Sequence, residues 1–233
     1  FLPGVQMNSM AVDPLNSNIM YAGTGEISYA EVYGWGGYGV FKSTDAGITW
    51  SISNSGMGNQ VVTEVLINQS NASHIVASAE NGIYKSVNSG ATWTKQAISG
   101  SWVQQVVQKG NSDTLFAISG DSLFMSPDFG DNWNVRNLDP VASSNYLKGR
   151  IAISPSNTNV IYATWIINLA GNYSQSEIFK SVNGGSTFVK TYSSSSLPAL
   201  SSYDGTVNGG GYGWANYAIV VDPTNSNTVY TGA

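Results

Sequence analysis

The octet S43-T-D-A-G-I-T-W50 combines one acidic residue, one glycine and one tryptophan with small polar residues between them. Nearly the same octet returns as S86-V-N-S-G-A-T-W93, S126-P-D-F-G-D-N-W133 and S181-V-N-G-G-S-T-F188. Its first serines are 43, 40 and 55 residues apart (86−43, 126−86, 181−126). A period of about 40 to 50 residues filled with short strands is typical of propeller blades. The octet therefore marks one repeating unit of an all-β fold.

The residues around the first octet predict the strands of one blade. A first strand at Met10–Val12 ends in Asp13-Pro14, and a short turn leads to a second strand at Ile19–Gly23. A third strand at Gly39–Lys42 runs into the octet, and a fourth begins at Thr49-Trp50. Repetition of this order predicts a β-propeller of four complete four-stranded antiparallel blades, the start of a fifth and hence an incomplete ring. The predicted blades span about 5–59, 60–100, 101–145, 146–214 and 215–233.

Three octet positions explain why the motif recurs. The third position can accept hydrogen bonds from backbone N–H groups two residues on, the fifth permits a positive φ, and the eighth is an aromatic ring suited to the core. We expect all three to be structural, since asparagine replaces the acid in two octets, which a metal site would tolerate poorly. The positions are held by Asp45, Asn88, Asp128 and Asn183; by Gly47, Gly90, Gly130 and Gly185; and by Trp50, Trp93, Trp133 and Phe188.

Composition excludes several classes of function. Net charge is −5 and only 10% of residues are charged, so no basic field is present to attract nucleic acid. The chain has no cysteine, which excludes disulfides and cysteine-ligated metals, and no metal or other cofactor is expected. No apolar run approaches the roughly 18 residues of a membrane-spanning helix. Low charge with abundant Asn, Ser and Thr is typical of secreted or cell-surface proteins, and a bacterial source is expected.

The octets resemble the Asp-box, or BNR repeat, S-x-D-x-G-x-x-W. The signature D-P-x-N-S-N-x-x-Y-x-G, present at Asp13–Gly23 and Asp222–Gly232, is similar to that of secreted bacterial Asp-box propellers, of the xyloglucanase and sortilin types. The resemblance covers essentially the whole chain and implies the propeller fold. It does not imply one activity, because such blades serve in sialidases, xyloglucan-degrading glucanases, sortilin-type receptors and a photosystem assembly factor.

Long insertions are predicted on the propeller face opposite the octets, where functional loops usually lie. They span 25–38, 165–177 and 193–214, and they combine aromatic residues with glycine and few charges. Such rings can stack on sugars, anchor a protein partner, or pack against each other to order the loops. The candidate ligand-binding residues are Tyr29, Tyr33, Trp35, Trp165, Tyr203 and Trp214.

The resemblance leaves catalysis open. A sialidase would bring an arginine cluster, whereas Arg136 and Arg150 lie in different predicted blades. The xyloglucanase type would bring a catalytic aspartate in Y-A-R-T-D, but here Gly23 and Gly25 hold the arginine and aspartate positions, which leaves Glu26 as the candidate acid. A glycosidase needs two carboxylates, and that family takes its second from a later domain.

We therefore expect a propeller that binds or scaffolds a glycan or a protein and leans away from catalysis. One alternative is a glycoside hydrolase of the xyloglucan endoglucanase type. Another is a structural segment of a large adhesin or filament. Because a propeller must close to protect its edge strands, the chain is also expected to be part of a longer polypeptide.

Overall fold

The computed structural model describes residues 5–25, 36–98, 102–139, 146–169, 172–193 and 217–232. Every regular element within these ranges is a β-strand, and nearly all strand pairs are antiparallel. None of these residues forms a helix long and apolar enough to cross a membrane. The prediction of an all-β chain built from antiparallel sheets is confirmed.

The first sheet follows the predicted order, with strand bounds shifted by one to three residues. Its neighbours run β1-β2-β3-β4. The strands are β1 at Met7–Val12, β2 at Met20–Thr24, β3 at Val40–Ser43 and β4 at Ser51–Ile52.

The second and third sheets repeat this four-stranded antiparallel order. The second comprises β5 at Val62–Ile67, β6 at Ile75–Ala79, β7 at Gly82–Ser86 and β8 at Thr94–Lys95. The third comprises β9 at Val103–Gln108, β10 at Leu115–Ser119, β11 at Ser122–Ser126 and β12 at Asn134–Arg136.

The fourth sheet departs from the pattern by gaining a fifth strand. Its order is β13-β17-β16-β15-β14, and β13 pairs in parallel with the start of β17. The strands are β13 at Leu138–Asp139, β14 at Tyr146–Ile153, β15 at Ile161–Leu169, β16 at Asn172–Ser181 and β17 at Phe188–Ser193. A two-stranded sheet of β18 at Ala218–Val221 and β19 at Val229–Gly232 follows.

The predicted insertion at 165–177 is corrected by this sheet. Trp165 pairs with Glu177, and the ladder continues outward to Leu169 and Asn172. The stretch is therefore a lengthened β-hairpin, with its backbone groups paired between strands, and not an irregular loop.

The residues group into two compact units, each with its own core. One unit comprises Phe1–Leu115 with Ser126–Trp133, and the other comprises Phe116–Met125 with Asn134–Ala233. In the first unit, Tyr21 and Val40 pack with Val65, Ile75 and Tyr84. In the second unit a cluster forms from Ala152, Val160, Tyr162, Ile178 and Val221.

Strand alternation explains the composition of the first core. Val65, Ala77 and Tyr84 are register partners across β5, β6 and β7, so they share one face of the second sheet. That face packs on Tyr21 and Val40 of the first sheet.

Candidate functional site

The four octets share one hydrogen-bond network. In each, the first serine Oγ accepts the N–H of the fifth-position glycine at 2.8–2.9 Å and donates to Oδ1 of the third-position Asp or Asn at 2.8–2.9 Å. The same Oδ1 accepts the N–H of the seventh residue at 2.8–3.0 Å. The acid or amide therefore closes a turn from inside, as predicted, although its bond reaches four residues on instead of two.

Asparagine can replace aspartate in this turn because the threonine at the seventh position can either donate or accept a hydrogen bond. Thr49 donates its hydroxyl to Oδ2 of Asp45, whereas Thr92 accepts from Nδ2 of Asn88 at 2.8 Å. A hydroxyl can either donate or accept, so the same contact survives the exchange of acid for amide.

The fourth octet position also adopts a positive φ, which the sequence did not signal. Ala46, Ser89 and Phe129 have φ of 57°, 55° and 52°, and Gly184 has 71°. Their N–H groups each donate to a carbonyl in the turn between the first two strands of the same sheet, as Ala46 does to Asn18 at 2.9 Å. The octet and that turn therefore lie at the same edge of each sheet.

The four octet aromatics, expected to belong to the core, differ in how deeply they are buried. Trp93 and Phe188 are 3% and 1% exposed, but Trp50 and Trp133 are only half-buried. The indoles of Trp50 and Trp133 donate to the glycine carbonyl of their own octet. That of Trp93 donates instead to the Ser53 carbonyl of the first sheet at 2.7 Å.

The octet carboxylates are not suited to act as general acids. Hydrogen bonds from Thr49 and Ser43 lower the pKa of Asp45 to about 2. Burial raises the pKa of Asp128, but hydrogen bonds from Asn132 and Ser126 together outweigh it and lower the value. A general acid needs a raised pKa, so these groups remain ionised turn residues. The described residues also contain no group of three His, Asp or Glu side chains that could hold a metal ion.

The first insertion begins and ends at a tight glycine clasp, Gly25 with Gly37. A Cβ on Gly37 would come 1.9 Å from the Gln60 carbonyl oxygen, and one on Gly25 would come 2.7 Å from the Cα of Gly37. The buried Thr24 closes the clasp, since its hydroxyl donates to the Gly39 carbonyl at 2.7 Å and accepts the Tyr38 N–H at 2.9 Å. Because β3 runs antiparallel from this clasp to the octet, the insertion is rooted at the opposite edge of the sheet.

Most candidate ligand-binding residues lie outside the described residues, so their expected placement remains a prediction. These are Tyr29, Tyr33 and Trp35 of the first insertion, Tyr203 and Trp214 of the third, and the candidate acid Glu26.

Trp165 is a correction. Its side chain is fully buried, packs edge-on against Phe179 with ring centroids 5.7 Å apart, and donates to the Gly120 carbonyl at 3.0 Å. It is a core residue of the second unit and presents no surface to a ligand.

Tyr217 is the first described residue after the third insertion. The buried Tyr217 hydroxyl lies 2.6 Å from Oγ1 of Thr164, and burial raises the pKa of this tyrosine. The insertion begins after Ser193, whose register partner is Glu177. It therefore starts from the same edge of the fourth sheet as the β15–β16 hairpin, opposite that sheet's octet.

A polar groove lies at the octet edge of the first unit. Its cavity has a volume of about 310 Å³, near the lower end of the range for small-molecule sites. Its lining residues are Lys42, Ser51, Ile52, Ser53, Asn54, Ser55, Asn88, Ser89, Gly90 and Ala91. Sequence reasoning missed this groove, although a lysine before the octet serine, at Lys42, Lys85 and Lys180, is a recurring signal.

No family model and no curated protein matches the chain. Solved structures do match. A GH74 enzyme from Niastella koreensis superposes with a TM-score of 0.68 at 24% identity, covering 96% of this chain and 35% of that one. A GH74 xyloglucanase from Xanthomonas campestris superposes with a TM-score of 0.63 at 16% identity, covering 95% of this chain and 34% of that one. An ancestral GH74 enzyme superposes with a TM-score of 0.65 at 20% identity, covering 94% of this chain and 28% of that one.

The likeness is one of fold. Together with the antiparallel four-stranded sheets, it confirms that the chain has the blades of a β-propeller. The chain spans about a third of the length of these GH74 structures.

Proposed function

We propose that this chain is a propeller segment of a secreted or cell-surface protein that binds a neutral polysaccharide of the β-glucan class through its aromatic insertions. The observation that carries the proposal is its likeness to GH74 structures over 96% of its length, one of the similar proteins being a xyloglucanase. The octets, taken as Asp-box turns, serve as scaffold in this reading.

The roots of the insertions support the proposal. The Gly25–Gly37 clasp holds the first insertion at the edge opposite the octet, and the third insertion starts at the corresponding edge of the fourth sheet. Tyr29, Tyr33 and Trp35 are the aromatic residues of the first insertion, and Tyr203 and Trp214 lie in the third. An aromatic ring can stack on the apolar face of a sugar without needing a charge.

Binding of xyloglucan to the purified chain, measured by titration calorimetry, tests this proposal. Trp35→Ala should weaken binding by about 1–3 kcal/mol, the magnitude known for aromatic stacking platforms on bases. Ile48→Ala, at an octet residue that is 76% exposed, is the matched control and should leave affinity unchanged. Affinity should barely depend on salt, because stacking releases few counterions. Equal affinity of the Trp35→Ala variant and the unaltered chain would refute the proposal.

A glycoside hydrolase is the second candidate function, favoured by the sequence position of one carboxylate, Glu26. Glu26 directly follows Gly25 in sequence, and Gly25 is the clasp residue next to the end of β2. Cleavage of β-glucan that Glu26→Gln abolishes, with unchanged unfolding midpoint and unchanged glucan affinity, would replace the binding-only reading. Retention of full cleavage in that variant would exclude Glu26 as a catalytic residue.

A role as part of a larger assembly is the third candidate, favoured by one apolar face of the first sheet. Met10 and Val12 of β1 are 52% and 46% exposed. Val65 and Ile67, which have the same spacing on β5, the first strand of the second sheet, are buried. We propose that further blades of a longer polypeptide cover this face. Met10→Lys should then lower the melting temperature of the longer polypeptide but not that of this chain alone, and equal effects would refute it.

A further inference from the structure

Lys42 and Lys85 occupy the same position in two neighbouring sheets, each directly before an octet serine. Nζ of Lys85 pairs at 2.7 Å with the carboxylate of Asp131, which is the sixth residue of the third octet. The side chain of Lys85 is only 3% exposed, so this carboxylate neutralises a buried cation.

Lys42 lacks a carboxylate at that octet position, because the sixth residue of the second octet is Ala91, and the Asp13 carboxylate acts on it only from beyond ion-pair distance. Its Nζ donates to the Ser89 carbonyl at 2.9 Å and lies 5.3 Å from the centroid of the Tyr21 ring. Among the described residues it forms no ion pair, and an ammonium group has three N–H donors. Lys42 therefore has N–H donors available for a ligand carboxylate, whereas the ammonium group of Lys85 is paired with Asp131.

The groove at Lys42 combines this cation with neutral polar groups. Ser51, Ser53, Asn54 and Ser55 line it from the first sheet, and Ile52 adds an apolar side chain. Ala91 also lines it, which places the missing carboxylate position inside the groove. The hydroxyls of Ser51 and Ser53 already donate to the Lys42 and Gly90 carbonyls, so their oxygens can accept from the hydroxyls of a sugar. Ile52 can contact the C–H face of the sugar ring.

We propose that this groove binds a carboxylate-bearing sugar, a uronic acid unit of an acidic glycan, with its carboxylate on Nζ of Lys42. The sugar carboxylate takes the role at Lys42 that Asp131 plays at Lys85. This site lies at the octet edge, opposite the described root of the first aromatic insertion. It does not depend on the neutral-polysaccharide function proposed above.

Titration of the chain with digalacturonate tests the assignment, with neutral galactobiose as the matched ligand. Digalacturonate should bind, and added salt should weaken it, whereas galactobiose should not bind measurably. Lys42→Met should weaken digalacturonate by about tenfold or more, the loss expected for a charge-assisted hydrogen bond. Lys180→Met is the control, since Lys180 holds the same position in the fourth sheet but donates to Asn227 at 2.8 Å. Equal loss in both variants, or none in Lys42→Met, would overturn the proposal.

One exchange borrowed from the Lys85 pair sharpens the test. Ala91→Asp should supply the carboxylate from within, so digalacturonate binding should disappear while the melting temperature rises. Unchanged binding by Ala91→Asp would overturn the proposed position of the carboxylate.

Two further titrations distinguish an acidic sugar from other anions as the ligand of this groove. Tighter binding of the peptide Gly-Asp-Gly than of digalacturonate would overturn the sugar in favour of an acidic peptide. Equal competition by inorganic phosphate would reduce the site to a nonspecific anion contact and also overturn it. Because Lys42→Met should leave xyloglucan affinity unchanged, failure of this proposal is distinguishable from failure of the proposed function.

Discussion

The first and second octets make the same internal hydrogen bonds, yet their tryptophans do different things. Trp50 is half-buried and donates to Gly47 of its own octet, so its bond only reinforces the turn. Trp93 is buried, and both its indole and its backbone N–H donate to carbonyls of the first sheet, those of Ser53 and Ser55. The same repeated turn geometry therefore supports only local structure at Trp50, but also contacts between the first two sheets at Trp93.

Removing the two tryptophans should separate these levels most clearly. Trp93→Ala should cost about 3–5 kcal/mol of unfolding free energy, as for other large aromatic core truncations. Trp50→Ala should cost only about 1–2 kcal/mol, within the ordinary range of point substitutions. Urea unfolding followed by circular dichroism measures both.

Trp93→Phe serves as the intermediate variant, because it keeps a ring but removes the indole N–H. It should lose about 1 kcal/mol for the bond to Ser53. Equal costs at Trp93 and Trp50 would show that the inter-sheet contacts of Trp93 contribute nothing beyond the turn.

The fourth octet position allows a smaller test of the shared turn. Ala46 has a φ of 57°, a conformation that costs a residue with a Cβ about 1–2 kcal/mol. Ala46→Gly should therefore stabilise the chain by up to about 1 kcal/mol, since glycine loses part of the gain to its more flexible unfolded state. Gly184→Ala should do the reverse, because Gly184 has a φ of 71° in the fourth octet. Thermal unfolding of both variants checks the signs, and two shifts of the same sign would contradict the argument.

The smallest effect distinguishes aspartate octets from asparagine octets by pH. The pKa of Asp45 is about 2 in the folded chain, against an ordinary 3.8, so its carboxylate favours the folded state above about pH 4. That contribution is lost as pH falls from 3.8 towards 2, and Asp45→Asn should remove this part of the acid sensitivity. Asn88→Asp in the second octet should add a similar dependence. Melting temperatures between pH 2 and 7 measure it, and parallel curves for Asp45→Asn and the unaltered chain would rule it out.

The repeat was predictable from sequence because the octet encodes its turn locally. Ser43, Asp45 and Gly47 form their network within five residues, so a one-dimensional pattern is sufficient. The octet pattern predicted that Trp93 would be buried. It could not predict that the indole donates to Ser53, because Ser53 lies 40 residues away in sequence.

The candidate site was less accessible to sequence reasoning. Trp165 reads as an insertion residue, yet β15 and β16 continue past it as a paired hairpin and enclose it against Phe179. Alternation of side chains does not reveal how far a hairpin extends. The pairing of Lys85 with Asp131 likewise depends on which octet faces which lysine, and that information is tertiary.

The Gly25–Gly37 clasp makes the first insertion an exchangeable cassette. Its two ends lie so close together that a Cβ on Gly25 would come 2.7 Å from the Cα of Gly37, so the insertion starts and finishes at fixed points. Doubling the length of a loop with fixed ends costs only about 0.6 kcal/mol in closure entropy. Sequences of quite different length can therefore be grafted between these glycines at little cost to β2 and β3, which makes this edge of the sheet a platform for evolving or engineering new recognition.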